Sequence, residues 1–424
     1  MSLNPEPTVG KSDWFVKERF GLFIHWGLYA QGARHEWLQN NEQIPADVYQ
    51  RKYFKRFNPD LYQPAQWAKA AKNAGMKYFV ITTKHHEGFA LWDSKLTDYK
   101  ATNTAYGRDL IRPMVEAFRA EGLHTGFYHS LIDWHHEHYI QDAHIGPNRA
   151  HPERAKLNEG RQQALYAKYL HGQVEELLSQ YGKVDILWLD FSYPRPDGSG
   201  KGNKDWDSAN LIKLVRRLQP EIMLNDRLDL DYGWDFKTPE QYMPRGWVMI
   251  NGKPVVWEGC HTFSGSWGYH RDEKTWKSVE MLVKMLVDSV SKGGNLLLNV
   301  GPTGRGEFDE RALDRLAGMG EWMKRHDRAI YGCTQAPAGM KCPEDCRLTW
   351  NPETKRLYIH VMSWPFRNLF LDGFGERLEY AQLLNDASEV TFKVNKEKDE
   401  IAFNLPVDPP RNAVVPVIEC FLKD

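Results

Sequence analysis

Short apolar runs in this chain stop, one after another, at residues able to do acid–base, nucleophilic or hydrogen-bonding chemistry. Val184-Asp185-Ile186-Leu187-Trp188-Leu189-Asp190 ends on a carboxylate. Phe20 to His25 leads into His-Trp-Gly, Lys77 to His86 into Lys-His-His-Glu, and His124 to Ser130 into Tyr-His-Ser. Glu221 to Arg227 ends in Asn-Asp-Arg, Pro254 to Glu258 in Trp-Glu, and Gly293 to Pro302 in Asn-Val-Gly-Pro. Side chains alternate along a strand, so Ile186, Trp188 and Asp190 share a face, and a lumen-facing Trp188 puts Asp190 at the same mouth. Asp190 is then a nucleophile or base; the competing reading is an N-cap for the next loop. Glu258 follows the Trp257 ring, and an apolar neighbour raises a carboxyl pKa toward that of a general acid. A solvated loop glutamate fits the same residues. His25, His85, His86 and His129 sit at strand ends, where imidazoles bind zinc or hydrogen-bond hydroxyls. Arg227 pairs with a carboxylate at the mouth or with one on the surface. Trp26, Trp188 and Trp257 at the tips favour a carbohydrate, whose C–H faces stack on aromatic rings.

Runs of this kind belong to parallel strands, whose two buried faces make them almost continuously apolar. Between them lie helical patterns: Pro64 to Ala74, Leu110 to Ala120, Arg161 to Tyr181, Trp276 to Ser291 and Glu310 to His326. Strand–helix alternation predicts parallel pairing with right-handed crossovers. A set of functional strand ends predicts an α/β fold, a (β/α)8-type TIM barrel over residues 12–332. Seven strands are evident, and the eighth is expected between Asp229 and Val255. After Tyr331-Gly332 the pattern turns to short alternating segments, which predict an antiparallel β-sandwich over 335–424.

Composition narrows the partners. With 55 Lys and Arg against 56 Asp and Glu, the net charge of −1 gives no electrostatic case for nucleic acid or an anionic membrane. No apolar stretch reaches the roughly 18 residues of a membrane span, and Met1-Ser2-Leu3-Asn4-Pro5 lacks the marks of a leader. The expectation is a soluble protein, cytoplasmic or exported after processing. Cys260, Cys333, Cys342, Cys346 and Cys420 are too few and too odd for a disulfide framework. Oligomeric state and compartment are not legible.

The motifs together resemble the α-L-fucosidases of glycoside hydrolase family 29. Those that match in order are Phe20-Gly21-Leu22-Phe23-Ile24-His25-Trp26-Gly27, Glu36-Trp37, Lys84-His85-His86-Glu87-Gly88-Phe89, Tyr128-His129-Ser130, Asn225-Asp226-Arg227, Trp257-Glu258 with Ser266-Trp267-Gly268-Tyr269, and Leu297-Leu298-Asn299-Val300-Gly301-Pro302. The resemblance implies a retaining exo-glycosidase acting on fucosylated oligosaccharides or glycoconjugates without a metal or other cofactor. It implies Asp190 as nucleophile and Glu258 as acid/base. It places His25, Glu36, Trp37, His85, His86, Tyr128 and Arg227 on positions that bind fucose or orient the nucleophile. Trp188 and Trp267 are expected to line the sugar site, Trp267 against the 6-methyl. The chain departs from the common pattern after Asp190, where Phe191-Ser192-Tyr193-Pro194 replaces a glycine, and after Arg227, where Leu228-Asp229 replaces Trp-Gly. These neighbours of the mouth bear on the leaving group. A zinc-dependent hydrolase built on His25, His85, His86 and Asp190, and an inactive sugar-binding barrel, are the rival classes.

Overall fold

The computed structural model describes residues 8–373, 375–411 and 413–423; the start of the chain, including Met1–Pro5, lies outside them. Seven parallel strands form one curled sheet: β1 (Phe20–Ile24), β2 (Tyr78–Lys84), β3 (His124–Ser130), β4 (Ile186–Asp190), β5 (Met223–Leu224), β6 (Glu258–Thr262) and β7 (Asn295–Val300), in the order β5-β4-β3-β2-β1-β7-β6. Every residue of β2 and β4 is buried, as expected of strands covered on both faces. The crossovers carry helices α2 (Pro64–Asn73), α3 (Ile111–Ala120), α4 (Gln163–Gln180), α5 (Ser208–Leu218) and α6 (Val279–Ser291), and α7 (Glu310–His326) follows β7; a short α1 (Asp13–Glu18) precedes β1. Pro64 opens α2 at a position where its missing N–H costs nothing. Among the described residues no helix is long and apolar enough to cross a membrane.

Among the described residues no eighth regular strand joins this sheet. Between the edge strands β5 and β6 runs an irregular segment, Asp235 to Gln241, bonded to both. Asp235 N donates to Leu224 O at 2.7 Å, Lys237 N to Val256 O at 3.0 Å, and Gln241 N to Cys260 O at 3.1 Å. From the β6 side, Glu258 N donates to Lys237 O at 2.9 Å and Cys260 N to Pro239 O at 3.0 Å. Pro239 offers no N–H, which bars a full ladder here. One buried side chain fixes the start of the segment. The Asp235 carboxylate accepts from Gly10 N at 2.7 Å, Leu224 N at 2.7 Å and Arg216 Nη2 at 2.6 Å.

Inside the curl, Phe23, Val80, Tyr128, Ile186, Trp188 and Leu297 pack together, with Phe15 and Val16 of α1 in the same cluster. Phe236 of the irregular segment joins them. Glu258 is also in this interior. It was expected at the end of a strand, but β6 begins with it. A small hairpin, Met249–Ile250 against Lys253–Pro254, ends just before the apolar run Val255-Val256-Trp257 that leads into it. Glu258 is wholly buried and accepts from Tyr78 Oη at 2.5 Å and from Trp188 Nε1 at 3.3 Å. Burial pushes its carboxyl up to about 8, partly opposed by those two hydrogen bonds. The neutral glutamic acid is thus a feature of the core.

Residues after α7 form two antiparallel sheets. One contains β8 (Thr334–Gln335), β9 (Cys346–Asn351), β10 (Arg356–Val361), β12 (Leu378–Leu383) and β15 (Val417–Leu422); the other contains β11 (Asn368–Asp372), β13 (Phe392–Asn395) and β14 (Glu400–Asn404). Leu348, Ile359 and Ile418 of the first share a core with Leu369, Leu371 and Phe403 of the second. The five cysteines are all free.

Two outcomes are expected. Asp235→Ala takes from Arg216 its anionic partner, leaving it two backbone carbonyls, and leaves two buried backbone donors without their acceptor, so it should cost about 3–5 kcal/mol in chemical denaturation; a loss below 1 kcal/mol would mean that the segment is anchored elsewhere. The second concerns pH. Below the unfolded pKa of 4.5, Glu258 is protonated in both states; above it, the unfolded chain ionises while the folded one keeps its proton up to about 8. Glu258 therefore makes stability fall as pH rises from about 5 to 8, by roughly 1.4 kcal/mol per pH unit. Glu258→Gln should flatten that slope; denaturation curves at pH 5, 6 and 7 with an unchanged slope would show that the carboxyl is already ionised.

Candidate active site

The strand ends converge on one cleft, lined by Phe23, His25, Trp37, His85, His86, Tyr128, Trp188, Asp190, Phe191, Glu240, Cys260 and Trp267, with about 410 Å³ of space out to its open mouth. Phe23, Tyr128, Trp188 and Cys260 are buried and make the floor; Trp37, Phe191 and Trp267 are half-buried and Glu240 is exposed at the rim.

Asp190 closes β4, and its two oxygens are separately held. Oδ1 accepts from Arg227 Nη1 at 2.8 Å, and Oδ2 accepts from Tyr128 Oη at 2.7 Å. Burial pushes the Asp190 carboxyl up; Arg227 acts in the opposite direction, Glu240 adds to the rise, and the Tyr128 hydrogen bond lowers it. Arg227 lies over the Trp188 ring at 4.4 Å and its Nε donates to Thr238 Oγ1 at 3.0 Å. Its Nη2 stands 2.8 Å from Glu240 Oε2. One guanidinium therefore bridges two carboxylates, one in the wall and one on the rim. Glu240 is brought there by the irregular closing segment.

Two of the imidazoles, His25 and His86, have fixed tautomers. Asn299 Nδ2 donates to Trp267 O at 2.6 Å, so its Oδ1 is the atom 2.6 Å from His25 Nδ1. His25 Nδ1 must then carry the proton, leaving Nε2 an acceptor. Ser130 Oγ donates to Ile132 O at 2.7 Å, which leaves it to accept from His86 Nδ1 at 2.7 Å. His86 Nε2 is likewise an acceptor. Burial drives His25 down to about 3 and holds His85 and His86 well below the usual imidazole range, so all three are neutral near pH 7. Their acceptors suit hydroxyl donors. Among the described residues no group of three or more His, Cys, Asp or Glu side chains is placed to hold a metal ion.

The rim is braced from behind. Glu36 is buried and does not line the cleft; its Oε2 accepts from Gly268 N at 2.7 Å and holds the Trp267 loop. Gly301 permits that loop, since a Cβ there would strike the Gly268 and Tyr269 backbone. The Trp267 ring meets His25 at 5.1 Å and Phe23 at 5.9 Å. Trp37 packs on His86 at 5.1 Å and on Phe191 at 5.2 Å.

Of the residues singled out from the sequence, His25, Trp37, His85, His86, Tyr128, Trp188, Asp190 and Trp267 line the cleft, and Arg227 reaches it through Asp190. Glu258 does not. It lies beneath the floor, behind Trp188, whose indole N–H points to it. A proton donor must reach the leaving oxygen, directly or through one water, and Trp188 stands between. The sequence reading missed Glu240, and it placed no role on Phe23, Cys260 or Asn299. Asp235-Phe236-Lys237-Thr238-Pro239-Glu240 is neither apolar nor alternating, so no strand signal marked Glu240 as a strand end.

The family described as Alpha-L-fucosidase matches residues 5–328. The α-L-fucosidase isoenzyme 1 from Paenibacillus thiaminolyticus is 43% identical, with a TM-score of 0.90 over 97% of this chain and 99% of that one. A family 29 α-L-fucosidase from Bacteroides thetaiotaomicron, trapped as a covalent intermediate with 2-fluoro-fucosyl fluoride, is 27% identical with a TM-score of 0.84, covering 100% of this chain and 99% of its own. The rat plasma α-L-fucosidase is 31% identical over 84% of this chain and 79% of its own. A cleft built from strand ends around a clamped carboxylate, and a match over most of the chain, lead to one assignment: the chain belongs to the α-L-fucosidase family.

Proposed function

We propose that the protein hydrolyses terminal α-L-fucosides with retention, using Asp190 as nucleophile and Glu240 as acid/base. The observation that carries this reading is the single guanidinium of Arg227 joined to both carboxylates. Asp190 attacks the anomeric carbon from the wall while Glu240 protonates the departing glycosidic oxygen at the rim, so the aglycone leaves with its proton. Glu240 then takes a proton from water, which attacks the anomeric carbon and frees Asp190. Retaining pairs stand about 5–5.5 Å apart, and sharing one guanidinium keeps the two carboxyls close. Arg227 and Tyr128 spread the charge of ionised Asp190 and fix the direction of its oxygens. The Nε2 atoms of His25 and His86 accept from fucose hydroxyls, and Trp267 faces the 6-methyl. The family relationship and the trapped intermediate of the Bacteroides relative support this reading.

Hydrolysis of an aryl α-L-fucoside followed by NMR should give the α anomer first; β-fucose first would overturn retention. Asp190→Ala should lower turnover by about three orders of magnitude or more. Glu240→Ala should harm fucosyl-disaccharides far more than aryl fucosides and recover with azide as the α-fucosyl azide, whereas Glu258→Gln should keep most of its turnover. The opposite ranking of those two variants would return the acid/base role to Glu258. Arg227→Gln removes a cation that favours Asp190's charge, so the acid limb of kcat/KM should move to higher pH; an unmoved limb would show that another group controls it.

A further inference from the structure

Phe191, next to the clamped carboxylate, has a φ of 82°, a left-handed backbone rarely taken by an aromatic residue. Such a conformation survives only where its surroundings over-determine it, and it clusters at functional sites. Here the surroundings are a stapled loop. Tyr193 N donates to Lys201 O at 2.8 Å, and Lys201 Nζ, nearly buried, donates to Asp142 at 3.0 Å. Tyr193 Oη also donates to Asp142, and Tyr139 Oη lies 3.2 Å from it. Trp206 Nε1 donates to Ser192 Oγ at 2.8 Å. A Cβ on Gly200 would collide with the Tyr193 carbonyl, so the loop closes tightly only with glycine there. The buried Lys201–Asp142 pair serves no part of the proposed chemistry, yet it holds the loop whose first residue is Phe191.

The held ring stands at the rim. Phe191 is half-buried, lines the cleft, and packs on Trp37 at 5.2 Å and His86 at 5.1 Å. The fucose site proposed above lies deeper, among the buried histidines and the floor. A ring at the rim, beside the nucleophile and on the same mouth as the exposed Glu240, meets what departs.

On the α-L-fucosidase reading, we propose that Phe191 is the aromatic wall of the leaving-group subsite, where the apolar C–H face of the first aglycone sugar stacks, and that the loop from Phe191 to Lys201 is braced to hold it there. A hydrophobic ring in this place favours a sugar aglycone over a small or charged one.

α-L-Fucosyl fluoride carries no aglycone ring and separates the two sites. In Phe191→Ala, kcat/KM for a fucosyl-disaccharide should fall about tenfold relative to that for the fluoride, the loss expected of one aromatic stacking contact. Phe191→Trp should keep the wild-type ratio. Phe191→Gly suits the positive φ, folds without the strain, and should show the same selective loss as Phe191→Ala. Equal losses on both substrates would overturn the proposal, because Phe191 would then act on the fucose or on Asp190. Unchanged rates on both would also overturn it. A wild-type protein inactive on the fluoride itself would instead remove the fucosidase reading, and this subsite with it.

Discussion

The Arg227 guanidinium donates to Asp190 with one nitrogen and meets Glu240 with another, while its Nε is taken by Thr238 and its face rests on Trp188. The contacts come from two elements: Trp188 and Asp190 belong to β4, and Thr238 and Glu240 to the segment that closes the sheet. A planar cation with fixed donor directions can do this; an ammonium, a point charge on a flexible stem, cannot. Burial and the Arg227 charge pull the Asp190 carboxyl in opposite directions, with burial the stronger, while Glu240 stands at the exposed rim.

The rest of the molecule can be understood as what keeps that contact from relaxing. Parallel strands bring side chains to one mouth in register, as Ser130 aligns with Asp190 and Tyr128 with Trp188. The lumen below is filled by rings and closed by α1, so the floor has nowhere to sink. Glu258 belongs to this layer. Its neutral carboxyl gives Trp188 a partner for the indole N–H, which would otherwise be an unpaired buried donor. The glutamate that resembled a catalytic acid thus serves the same site from one layer below.

How much of this was readable depended on how each element announces itself. The strands β1, β2, β4 and β7 are largely apolar runs with helical patterns between them, and β3, though more polar, follows the same strand–helix alternation, so their ends are legible in the sequence. Asp190 followed from strand parity, since Ile186 and Trp188 lie in the lumen cluster below it. Two elements carry no such signal. β6 reads Glu-Gly-Cys-His-Thr, so the stronger apolar run before it, Val255-Val256-Trp257, looked like the strand and Glu258 like its end. The closing segment contains Lys237, Thr238 and Pro239, and it holds its place through backbone hydrogen bonds to two neighbours, the buried carboxylate of Asp235 and the buried ring of Phe236. Tertiary contacts made it, and a local pattern has no access to them. The two errors have one cause, because both elements flank the seam where the sheet closes.

That seam also explains why the exposed carboxylate sits where it does. A regular eighth strand would present its end residue in the same ring as Asp190, with side-chain direction set by alternation and the backbone locked in a full ladder. The irregular segment keeps only part of the ladder, breaks at Pro239, and passes into Gln241 with a φ of 58°. Glu240 is therefore delivered from a backbone turning away from the cylinder, with its side chain 40% exposed. On the proposed mechanism Glu240 hands a proton to a leaving oxygen and then takes one from water, which needs contact with both the wall and the solvent. The same residue at the end of a regular strand would be enclosed as Asp190 is. The loss of regularity at the seam is, on this argument, what allows two carboxylates held by one arginine to live in different environments.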